Sequence, residues 1–102
     1  MSRREQLEEL LKSDPEDLFL LYALAMACLS DGEITQGLER LDQVIQQDPD
    51  YVAAYFQKGQ ALATQGDTAA AKLALTQGIE VAQKIGETHA ESEMSAFLED
   101  LP

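Results

Sequence analysis

At 102 residues the chain is the size of one domain, large enough to bury a modest core without metal or disulfide staples. Acids outnumber bases 19 to 7, giving a net charge of −12 that repels phosphate backbones and anionic head groups, so neither nucleic acid nor a membrane surface is expected as a partner. Cys28 is the only cysteine, which excludes an intrachain disulfide and suits a reducing, cytoplasmic setting; as a small apolar side chain it is expected in the core.

The first stretch, MSRREQLEELLKSDP, has no apolar segment of the kind a signal peptide needs. Its leucine spacing predicts a helix over about Arg3 to Lys12, with Leu7, Leu10 and Leu11 facing inward. Next comes Leu18 to Leu29, twelve residues without a charge. That is too short for a bilayer, which needs about 20 apolar residues, and acids fence it on both sides. It reads as a buried helix over Pro15 to Ser30, with Asp14 as N-cap, Pro15 in the first helical position and Gly32 as the left-handed stop. A second helix follows over Thr35 to Gln47, with Leu38, Leu41, Val44 and Ile45 at helical spacing.

The scheme then repeats. Asp14-Pro15 recurs 34 residues later as Asp48-Pro49, and the same offset pairs Ala27 with Ala61, Gly32 with Gly66, Leu41 with Leu75, Gln43 with Gln77 and Ile45 with Ile79. Helices are therefore expected over Pro49 to Thr64 and Thr68 to Ile85, with Gly86 as the stop. A last amphipathic helix lies in ETHAESEMSAFLEDL, with Ala90, Met94, Phe97, Leu98 and Leu101 on one stripe. Six helices and no sheet are expected, an all-α fold.

A helix-turn-helix unit of this period, closing in Asp-Pro with a glycine between its helices, resembles the tetratricopeptide repeat. Small residues stand where that family has them, at Ala25 and Gly59 and at Gly37 and Ala71, and its apolar position is filled by Leu41 and Leu75. Lys58 replaces a usual leucine, and Gln83 replaces the second closing proline. The resemblance implies an α-solenoid of antiparallel helix pairs: a capping helix over 1–14, repeats over 18–51 and 52–85, and a C-terminal cap over 86–102.

Chemistry is hard to find. There is no phosphate-binding glycine loop, cysteine pair, histidine pair or nucleophile elbow. His89 and Glu93 are four residues apart, but two ligands on an exposed helix make a weak metal site. No catalytic residue, metal or cofactor is expected, and a small metal-dependent enzyme is only a remote alternative.

The more informative surface is the apolar helix itself. At about 100° per residue, Leu21, Leu24, Ala25 and Cys28 share a face, and Leu20, Leu24 and Ala27 lie to one side of it. Phe19, Tyr22, Met26 and Leu29 form a third stripe; the equivalent positions of the next such helix include Phe56, Gln60 and Ala63. In the family this face lines a concave groove for peptides. The resemblance thus implies a non-catalytic adaptor with Tyr22 and Phe56 as neighbours; the apolar residues on the stripe suit a hydrophobic or amphipathic segment, and the acidic rim suits basic flanks on it. Two other readings use the same stripe: pairing with a second copy as a homodimer, and extra core covered by the chain itself. The lysines and asparagines of carboxylate-gripping relatives are missing from these positions.

Overall fold

The computed structural model describes all 102 residues, Met1 to Pro102. It holds six helices and no strand: α1 Arg3–Ser13, α2 Leu18–Ser30, α3 Ile34–Gln47, α4 Val52–Thr64, α5 Thr68–Ile85 and α6 Thr88–Glu99. The chain forms two compact units, Met1–Asp48 and Pro49–Pro102.

In the first unit, α1 opens with a capping box. Glu5 N–H donates to Ser2 Oγ, and Ser2 N–H donates back to Glu5 Oε1, both at 3.1 Å, so two of the free N–H groups of the first turn are satisfied. Leu7 and Leu11 are buried, but Leu10 is 56% exposed, against the expectation that all three face inward. The reason is geometric: α1 packs chiefly on α2 within the unit, and Leu10 lies about 100° around the helix from Leu11.

The apolar helix begins three residues later than expected. Asp17, not Asp14, is its N-cap, with Oδ1 accepting from Leu20 N–H at 3.0 Å. Asp14 to Asp17 form a turn instead, closed by Asp17 N–H donating to Asp14 O at 3.3 Å. Proline suits the second position of such a turn as well as it suits the first position of a helix. The second Asp-Pro behaves in the same way: Asp48 caps the end of α3, and α4 starts at Val52 rather than Pro49.

Leu21, Leu24, Ala25 and Cys28 of α2 are buried, as are Gly37, Leu41 and Val44 of α3. Between these helices Gly32 takes φ +80°, a left-handed conformation that only glycine adopts at little cost. Gly66 repeats it between α4 and α5.

In the second unit, α5 covers the expected Thr68 to Ile85 and stops at left-handed Gly86. Its N-cap is Asp67, whose side chain accepts from Ala70 N–H at 3.2 Å. Close approach of helices here depends on missing β-carbons. A β-carbon on Gly59 would lie 2.7 Å from Leu75 Cδ2, and one on Gly78 would lie 2.6 Å from Met94 Sδ and 2.7 Å from Tyr55 Cβ. Tyr55 is buried, and its hydroxyl donates to Pro49 O at 2.7 Å, tying α4 to the segment that leads into it. The α6 stripe packs with Met94 wholly buried, while His89, Ser92, Glu93 and Ala96 stay exposed. One face of α6 closes the unit and the other is polar.

Candidate functional site

The third stripe of α2 does not behave as one surface. Phe19, at its N-terminal end, is 73% exposed, an unusual position for a phenylalanine. Tyr22 and Met26 are half-buried. Leu29 is also half-buried, but it turns to α3: a β-carbon on Gly37 would lie 2.5 Å from Leu29 Cδ2. Leu29 therefore belongs partly to the α2–α3 packing.

Phe19, Tyr22 and Met26 line one side of an open depression of about 560 Å³. Ser2, Arg3 and Arg4, from the start of α1, line it too, as does Asp31 just past the end of α2. Sequence reasoning missed these four residues. A signal was present: Arg3 and Arg4 occupy the first two positions of α1, where the helix dipole favours acids. Arg4 is held by two acids, with Nε 3.6 Å from Glu8 Oε1 and Nη1 3.9 Å from Asp31 Oδ2.

In the second unit, Phe56, Gln60 and Ala63 of α4 are each half-buried. Phe56 meets Phe97 of α6 edge to face, with ring centroids 5.9 Å apart and planes at 76°, so part of its surface is taken by the chain's own last helix. Gln60 O accepts the Thr64 hydroxyl at 3.0 Å, a bond within the helix.

Burial pushes the Cys28 thiol up from its ordinary value, outweighing Arg4 and Arg40 nearby, the opposite of what a nucleophile needs. His89 Nε2 lies 3.3 Å from Glu93 Oε1 on the exposed face of α6, and no group of three or more His, Cys, Asp or Glu side chains is placed to hold a metal ion. No helix is long and apolar enough to cross a membrane.

Comparison with known proteins agrees with this architecture. A family model described as tetratricopeptide repeat matches residues 29–90. The TPR repeat-containing protein PA0015 of Pseudomonas aeruginosa is 34% identical over 97 residues, covering 95% of this chain and 92% of that protein. The solution structure of a tetratricopeptide repeat domain protein from Salinibacter ruber is 34% identical and superposes with a TM-score of 0.78, over 83% of this chain and 86% of its own. A third neighbour is similar in fold at 18% identity: the crystal structure of PcrH in complex with the chaperone binding region of PopD, with a TM-score of 0.87 over 94% of this chain and 73% of that one. By its repeat period, its helix pairs and these relatives, the chain belongs to the tetratricopeptide repeat family.

Proposed function

We propose that this chain is a non-catalytic protein-interaction adaptor that receives a hydrophobic or amphipathic segment of another protein. The observation that carries the reading is the outward stripe of α2. Phe19 is 73% exposed and stands with Tyr22 and Met26 on an open depression, an aromatic and adaptable surface of the kind interfaces use. Phe56, Gln60 and Ala63 on α4 are the second unit's counterpart positions. PcrH, a neighbour in fold, was crystallised with the chaperone binding region of PopD, which supports a protein as the partner class. The lone buried thiol fits a cytoplasmic setting.

The test is capture from the native host with wild type, Phe19→Glu and a Phe19→Glu/Tyr22→Glu variant, followed by mass spectrometry. Wild type is expected to retain a partner that both variants release while circular dichroism stays helical. Retention of the same partner by folded variants would move the site elsewhere. Collapse of helicity in the double variant alone would show that Tyr22 is core, leaving Phe19→Glu to decide. Light scattering separates the rival reading, because a concentration-dependent dimer abolished by Phe19→Glu would make the partner a second copy.

A further inference from the structure

Arg3 is the odd residue among the basic side chains. Arg4, Lys12 and Lys84 are in ion pairs. Arg40 donates to Gln43 Oε1, Lys72 to Pro102 O, and Lys58 also has a partner. Arg3 has neither an ion pair nor a hydrogen bond, although the chain carries 19 acids. It is also exposed, and it lines the depression beside Phe19, Tyr22 and Met26.

Helix stability does not account for it. A base in the first turn opposes the helix dipole, and α1 is already capped through Ser2 and Glu5. The charge lining the depression is also opposite in sign to the net charge of the chain, −12. The charged residues lining the depression are Arg3, Arg4 and Asp31, and Asp31 is engaged by Arg4. What remains is one unneutralised guanidinium at the edge of an apolar, aromatic floor.

We infer that this depression selects a segment presenting an apolar side chain next to a carboxylate, the apolar group lying against Phe19, Tyr22 and Met26 and the carboxylate accepting from the Arg3 guanidinium. The inference rests on the adaptor reading and refines it: the acidic composition of the chain suggests basic flanks on the partner, whereas the lining of this site calls for an acid. A planar guanidinium with paired donors suits a carboxylate, which it can engage with two hydrogen bonds.

The probes are three fluorescein-labelled amphipathic peptides, identical in their Leu and Phe positions, with Glu, Gln or Lys at the positions between. Binding is read by fluorescence anisotropy. The Glu peptide is expected to bind about two- to fivefold more tightly than the Gln peptide, the range of one part-exposed ion pair, with the advantage shrinking in high salt. Arg3→Gln should erase the advantage, Arg3→Lys keep part of it, and Arg3→Glu turn the preference to the Lys peptide. Circular dichroism on these variants checks that α1 survives.

If Glu and Gln peptides bind equally and both are lost in Phe19→Glu, the acid selection is wrong and the adaptor reading stands. A wild-type preference for the Lys peptide overturns the inference in favour of the acidic surroundings. If no peptide binds, the depression is not a peptide site, and the adaptor reading fails there as well.

Discussion

A glycine inside a helix costs about 1 kcal/mol relative to alanine, so helix propensity alone predicts that Gly78→Ala stabilises α5. The packing predicts the reverse. The new β-carbon would lie 2.6 Å from Met94 Sδ and 2.7 Å from Tyr55 Cβ. The Met94 thioether ends a flexible chain and can swing aside. Tyr55 Cβ cannot, because it is fixed to the α4 backbone and its ring is tethered through the hydroxyl to Pro49 O. Ordinary carbon contact at about 3.5 Å then requires α4 and α5 to part by roughly 0.8 Å. Overpacking of this kind costs about 1–3 kcal/mol. Set against the propensity gain, the net expectation is a loss of about 1 kcal/mol, or about 4–8 °C in melting temperature for a chain of this size. Urea and thermal unfolding followed by far-UV circular dichroism measure it. A rise in melting temperature would refute the reasoning, since it would mean that the helices yield freely. A Met94→Ala background locates the obstacle: most of the penalty should persist there if Tyr55 is the rigid wall, and vanish if Met94 is.

Asp17→Ala should cost about 1 kcal/mol in urea unfolding through the lost N-cap of α2, whereas Asp14→Ala, whose carboxylate caps no helix start, should stay within about 0.5 kcal/mol. At the start of α1, the Ser2 backbone N–H, and then its hydroxyl, hold the Glu5 carboxyl below its ordinary value of 4.5. A lowered folded value means this contribution is complete above the unfolded pKa and fades as pH falls through the folded one. NMR titration of the Glu5 carboxyl should therefore find a lowered midpoint that Ser2→Ala, which removes the hydroxyl but keeps the backbone N–H, moves only part of the way back up. The opposite sign applies to Lys84, whose amine is raised above 10.5 by its hydrogen bond to Asp50 and the charge on that carboxylate. Its contribution is complete below the unfolded value and lost as pH rises through the folded one, so Asp50→Asn should flatten the alkaline end of the stability profile.

The sequence exposed the repeat because its physics is local. Left-handed Gly32, Gly66 and Gly86 mark helix ends, and the span of α5 could be read to the residue because Asp67 and Gly86 bound it. Asp14-Pro15 misled because the pair is chemically suited both to a helix start and to a turn, and what separates the two is Asp17, whose extended backbone (φ −65°, ψ 114°) breaks the chain out of the turn and whose carboxylate caps Leu20 N–H. Leu10 shows a different limit: leucine spacing reveals that a helix has an apolar side, but the breadth of the covered side depends on how many neighbours the helix has. The candidate site was legible on α2, where periodicity isolates Phe19, Tyr22 and Met26. The Arg3 wall was not, because α1 and α2 are brought together by packing and no spacing rule links the two positions. The part of Leu29 that turns to α3 could not be read from α2 for the same kind of reason, since it shows only in the tight approach at Gly37.

The packing inside each unit has a further consequence. In the first, α1 rests on α2 and α2 on α3; in the second, α4 packs on α5 and α5 on α6, with a lighter contact from α4 to α6. Partners are thus almost always the next helix along, and little chain entropy is spent on closing long loops. Such a chain can assemble during synthesis, because the contacts that shape Met1–Asp48 involve only residues already made. It can also open from an end without dismantling the middle. Since α1 packs mainly on one helix whereas α2 is held between α1 and α3, hydrogen exchange is expected to reach its amides before those of α2. Part of the wall that carries Arg3 would then be the segment freest to adjust when a partner arrives.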